Sequence, residues 1–139
     1  MAALFRTLAA YTLALIIVTT LAVKVFHLPL MLSGAPGLVK EYYGPWWSAM
    51  AFDWFLIAIY LWAGKQFAEK HDITFVEGTA MATICISGAF CLYFLLSPRT
   101  SHFFSRWFHK AKGWAVVYDV ILVSGIAWLY PYLEKRLPI

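Results

Sequence analysis

Charge is what this sequence has least of. Lys, Arg, Asp and Glu together make 13% of its 139 residues, and only seven of them are acidic. So sparse a polar complement cannot cover a water-soluble domain. Cysteine is nearly absent too: Cys85 and Cys91 stand six apart in one apolar run. On a helix they project from different turns, which disfavours an internal disulfide. The chain also lacks a Cys-x-x-Cys pair, a Gly-rich phosphate loop, a nucleophile with an evident base, and histidines at metal-ligand spacing; His71 and His102 fall in separate connecting segments. An enzymatic reading therefore has little support, and no cofactor or metal is expected.

What is present is apolar. Hydrophobic residues make 63% of the chain and aromatics 19%, which points to lipid as the solvent. A helical span needs about 20 mostly apolar residues to cross a hydrocarbon core ~30 Å thick. Four stretches qualify, at about 8–28, 46–67, 74–96 and 114–133. The first resembles a signal peptide in outline, but its apolar run is too long for one. None of the runs alternates strictly and all are too long for barrel strands, so helices are favoured. The expectation is an all-α, multi-pass integral membrane protein, residues 1–139 forming one four-helix bundle.

An even number of spans puts both termini on one side of the membrane. Basic residues divide equally between the two sides, so the positive-inside rule gives no orientation. Tyr42, Tyr43, Trp46, Trp47, Trp62, Trp114, Trp128 and Tyr132 fall at span boundaries, where aromatic anchors belong.

The longest connecting segment carries a pattern of its own. Phe103, Phe104, Trp107 and Phe108 recur at i, i+1, i+4 and i+5, with His102, Ser105, Arg106, His109 and Lys110 between them. That spacing predicts a short amphipathic helix at about 101–110, capped by Thr100 or Ser101. Its expected place is the membrane interface, aromatic face down, with Arg106 and Lys110 among anionic headgroups. The plainer alternative is a basic, aromatic loop that closes the bundle. Membrane lipids are the expected partners in either case, and nucleic acid is not.

Two carboxylates break the apolar runs. Asp53 lies seven residues into the second span, on the order of 10 Å from its start, and Asp119 lies seven beyond Lys112. Both spans start on the same side, so the carboxylates share a depth. "FDWFLIAIYLW" and "YDVILVSGIAW" also share an aromatic before Asp and a Trp nine residues after it, a hint of a duplicated helical hairpin. An ionised carboxylate left alone in hydrocarbon costs several kcal/mol, so each must face the bundle, find a partner or take up a proton.

Lys24, near the end of the first span, is the expected neutralising partner, with Asp53 as its first choice because consecutive spans usually pack side by side. Thr79, Thr83, Ser87 and Cys91 form a polar stripe on the third span, with Ser87 and Cys91 the nearest in depth to the two carboxylates. Two functional readings follow. The first is a non-catalytic membrane subunit or scaffold held together by a Lys24, Asp53 and Asp119 clasp. The second is a small proton- or cation-coupled transporter or channel, requiring a homo-oligomer because four helices barely enclose a path. The presence of Lys24, and the lack of a Gly- or Pro-broken helix at mid-membrane, favour the first.

Overall fold

The computed structural model describes residues 2–138, which are 87% helical, with no strand among them. The elements are α1 (Ala2–Thr20), which runs on through a π-helical turn (Leu21–Val25), α2 (Leu28–Ser33), α3 (Pro36–Tyr43), α4 (Trp46–His71), α5 (Phe75–Leu96), α6 (Phe103–Ala111) and α7 (Gly113–Arg136). Four helices, α1 with its π turn, α4, α5 and α7, are long and apolar enough to cross a membrane. The spans read from hydropathy fall on these four helices; α1 begins earlier than expected, its π turn ends at Val25, short of residue 28, and α4 runs on past residue 67 to His71.

Local chemistry explains where the long helices stop. Thr74 and Glu77 form a reciprocal capping box at the start of α5: the Thr74 hydroxyl accepts from the Glu77 amide, and Glu77 accepts from the Thr74 amide, both at 3.2 Å. Asp72 ends α4 in the left-handed conformation, which Asp tolerates better than most residues. Lys112 turns the chain between α6 and α7 at a φ of 54°.

The packing order differs from the chain order. Helix α4 packs chiefly on α5, α5 on α7, and α7 on α1, while α1 and α4 touch only lightly. The α4–α5 seam is close because of glycine. A Cβ on Gly78 would lie 2.8 Å from the Ala68 backbone nitrogen, and one on Gly64 would meet Thr79. Small residues at a helix crossing are a common device where lipid, being as apolar as leucine, supplies no hydrophobic drive between helices. Two polar links tie α1 to α4: Tyr11 donates to the Trp54 carbonyl at 2.5 Å, and the Trp54 indole donates to Thr12 at 3.0 Å.

Leu15, Val123 and Ile126 fill the centre of the bundle. The outside is apolar as well, with Phe55, Trp62 and Trp128 each about two-thirds exposed at 68%, 66% and 67%. A water-soluble bundle keeps its outer face polar, so this surface suits a bilayer.

The segment between α1 and α4, read from sequence as loop, is helical. Pro36 sits in the first turn of α3 and Gly44 closes it, which is the usual bracket of a short helix. Together with α6, α3 covers one end of the bundle.

Candidate functional site

Under that cover lies a cavity of about 300 Å³, walled by α3, α4, α5, α6 and α7. Asp53 and Asp119 both line it. Each is held there by its position on the bundle-facing side of its helix, one turn along from Ala49 on α4 and Ala115 on α7, which are buried at 4% and 0% exposure. Those two alanines leave room for the neighbouring helices, and the carboxylates face the space that opens beyond them.

Each carboxylate has a hydroxyl partner. Tyr42 on α3 donates to Asp53 Oδ1 at 2.5 Å, and Ser87 on α5 donates to Asp119 Oδ2 at 2.6 Å. Asp53 is only 6% exposed, and its Oδ2 is buried without a hydrogen-bond partner. Tyr43 and Tyr118 share a hydrogen bond of 2.6 Å across the chamber, joining α3 to α7. Tyr60 completes the set of phenols around the space. The phenols of Tyr42 and Tyr43 hold their protons well above the ordinary tyrosine range. Burial is the main cause for both, followed by the charge of Asp53 at Tyr42 and that of Tyr118 at Tyr43.

The rest of the wall is aromatic and aliphatic. Phe103, Phe104, Trp107 and Phe108 of α6 all contribute to it. Phe103 stacks on Tyr42 with ring centroids 5.1 Å apart, and Phe108 stacks on Phe94 at 5.4 Å. A two-pronged ion pair clasps the cover: Arg106 of α6 reaches both Glu41 oxygens, at 2.8 and 2.9 Å. It is the sole ion pair among the described residues.

Three expectations need correction. The Lys24 clasp does not form. The wide π turn shifts the angular register of the residues in it, and Lys24 emerges exposed, its ammonium 4.5 Å from the centre of the Trp46 ring. Helix α1 also packs on α7 instead of α4, so the side-by-side argument for Asp53 fails. An ammonium at the boundary keeps most of its hydration and gains a ring face, whereas pairing inside the bundle would strip that hydration away.

The second correction concerns α6. The helix is present, but its cap is His102, whose Nδ1 accepts from the Phe104 amide, in place of Thr100 or Ser101. Its aromatic face turns into the protein, with Trp107 and Phe108 buried. Stacking on Phe94 and Tyr42 offers those rings as much apolar contact as lipid does, with defined geometry added. Lys110 stays exposed, while Arg106 is spent on Glu41.

The third is the assignment of Tyr42 and Tyr43 to the membrane boundary as anchors. They line the chamber, Tyr42 bonded to Asp53 and Tyr43 to Tyr118. Leu38, Val39, Tyr42 and Tyr43 stand at i, i+1, i+4 and i+5, the same stripe that marks α6, and all four line the chamber. That repeated stripe was the available signal.

The polar stripe of α5 divides in two. Thr83 donates to the Thr79 carbonyl four residues back, an ordinary structural use of a hydroxyl in an apolar helix. Ser87 alone turns to a carboxylate. No group of three or more His, Cys, Asp or Glu among the described residues is placed to hold a metal ion. No protein family, curated protein or solved structure matches this chain. The chemistry of the chamber is therefore the argument for its use.

Proposed function

We propose that this is a small multi-pass membrane protein that binds a cation at Asp53 and Asp119 and moves it in exchange for protons. The scaffold reading rested on Lys24 as internal neutraliser and on the lack of a Gly- or Pro-broken helix at mid-membrane; with Lys24 outside the bundle the first of these supports is gone. The observation that carries the proposal is the pairing of two carboxylates on one cavity with no Lys, Arg or His in its wall. A structural clasp ends in satisfied partners, because a half-satisfied buried polar network weakens a core. Here Asp53 Oδ2 is buried without a hydrogen-bond partner. Ionisable groups inside a membrane are functional-site candidates by default.

The exchange keeps charge in balance. A monovalent cation entering the chamber displaces one proton from the carboxylate pair, so one charge leaves for each one that binds. The binding space lies within one chain, so a second copy is needed for a path at most, and not for the site itself.

The test is reconstitution in liposomes with a pH-sensitive dye inside. Inward pulses of sodium, potassium and a quaternary ammonium are given in turn; at least one of them should release protons through the wild type, and both Asp53→Asn and Asp119→Asn should abolish that release while remaining folded. Wild-type vesicles no different from empty ones would overturn the proposal and return the protein to the membrane-subunit reading.

A further inference from the structure

We infer that the cation this chamber takes is a lipophilic organic ammonium, a quaternary or tertiary amine with an apolar body, and not a bare metal ion. The inference rests on the cation-binding reading above and names its substrate class. The first argument is the ligand set. A hard metal ion replaces its water with six or more oxygens at close range. Two carboxylates separated onto α4 and α7, each already holding a hydroxyl, do not supply such a cage. An organic cation needs no inner shell, only a negative counter-charge and polarisable walls.

The walls provide the second argument. Ring faces attract a desolvated cation through their quadrupole, and quaternary ammonium groups are bound in aromatic cages for that reason. Tyr42, Phe52, Phe104 and Tyr118 surround the same space as the two carboxylates. The remaining lining, including Leu56, Leu122 and Val123, is aliphatic and suits an apolar body. A cavity of about 300 Å³ lies at the lower end of small-molecule sites, far larger than an alkali ion requires.

The third argument is access. Phe52 of α4 and Phe90 of α5 line the chamber, yet each is 47% exposed on the outer surface. The glycine seam that closes α4 against α5 lies toward the other end of these helices, at Gly64 and Gly78. Phe52 and Phe90 thus belong both to the chamber lining and to the accessible surface. A molecule that partitions into lipid by its apolar body reaches the carboxylates without crossing the cover of α3 and α6.

Calorimetric titration of the full chain in nanodiscs tests this with three probes: benzyltrimethylammonium, its uncharged carbon isostere neopentylbenzene, and sodium or calcium chloride. The ammonium should bind once per chain. Its affinity should fall at least tenfold in Asp53→Asn and in Asp119→Asn, and severalfold in Phe104→Leu, with Phe104→Trp restoring it. The neutral isostere should bind weakly and ignore the Asp variants. Equal binding of isostere and ammonium would overturn the inference, because the chamber would then be an apolar lipid site. Binding of metal salts with none of the ammonium would overturn it too, and cation-driven proton release in liposomes would then still stand. Ammonium binding without any translocation would instead sustain the substrate class and sink the transport reading.

Discussion

The Tyr42 hydroxyl donates to Asp53 Oδ1 at 2.5 Å. It joins the short helix α3 to a carboxylate about two turns into the long apolar helix α4. The cover of the chamber is in this way tied to the group that the chamber presents.

That bond should be measurable. Tyr42→Phe removes the donor and keeps the ring stack on Phe103, so it should destabilise the protein by about 1–3 kcal/mol, the cost of leaving a buried acceptor without its partner. Asp53→Asn in the same background should then add less than it does alone. Reversible unfolding in mixed detergent micelles across this double-mutant cycle gives the coupling, and strict additivity would mean the two groups do not interact.

A second cycle separates the boundary position of Lys24 from a role in the bundle. Lys24→Met should cost about 0.5–1 kcal/mol and couple to Trp46→Leu, as an exposed cation–ring contact does. It should show no coupling to Asp53→Asn or Asp119→Asn. A coupling of ~2 kcal/mol or more to either carboxylate would place the ammonium back inside.

The glycine seam makes a prediction about packing alone. Gly78→Ala brings a methyl group against the Ala68 backbone and the Gly64 carbonyl, neither of which can swing away, and should destabilise by about 1–3 kcal/mol. Gly88→Ala on the same helix meets nothing within 4 Å and should be neutral or stabilising by up to about 1 kcal/mol. Thermal unfolding of the two variants side by side checks the difference, and equal effects would remove the close crossing.

Alkaline pH should act on the cover. Tyr42 and Tyr43 hold their protons more tightly when folded than an ordinary phenol does. The stabilisation from this source is therefore fully present below about pH 10, the value for an unfolded tyrosine, and is lost as pH rises above it. Phenolate absorbance should develop in two stages, exposed tyrosines first and these two only with loss of structure. A single early stage that leaves the fold intact would contradict their burial.

Much of this architecture is legible in the sequence because hydropathy is local. A run of apolar residues declares a span whatever packs against it, and the capping box at Thr74 and Glu77 declares where one begins. Asp53 and Asp119 are legible for the opposite reason, as charges where charge is expensive. Counting residues from the start of each span suggests that they could meet, and both line one chamber. The sequence could not say what stands opposite them. Periodicity shows that Phe103, Phe104, Trp107 and Phe108 share a face of α6, but lipid and protein interior are equally apolar, so the pattern is silent on which of the two that face meets. The destination of Lys24 depended on one wide turn and on α1 choosing α7 over α4. Tyr42 reached Asp53 only because α3 folds back over the bundle end. Such contacts form between segments far apart in the chain, and their energies are differences between competing partners. They are decided when the helices pack.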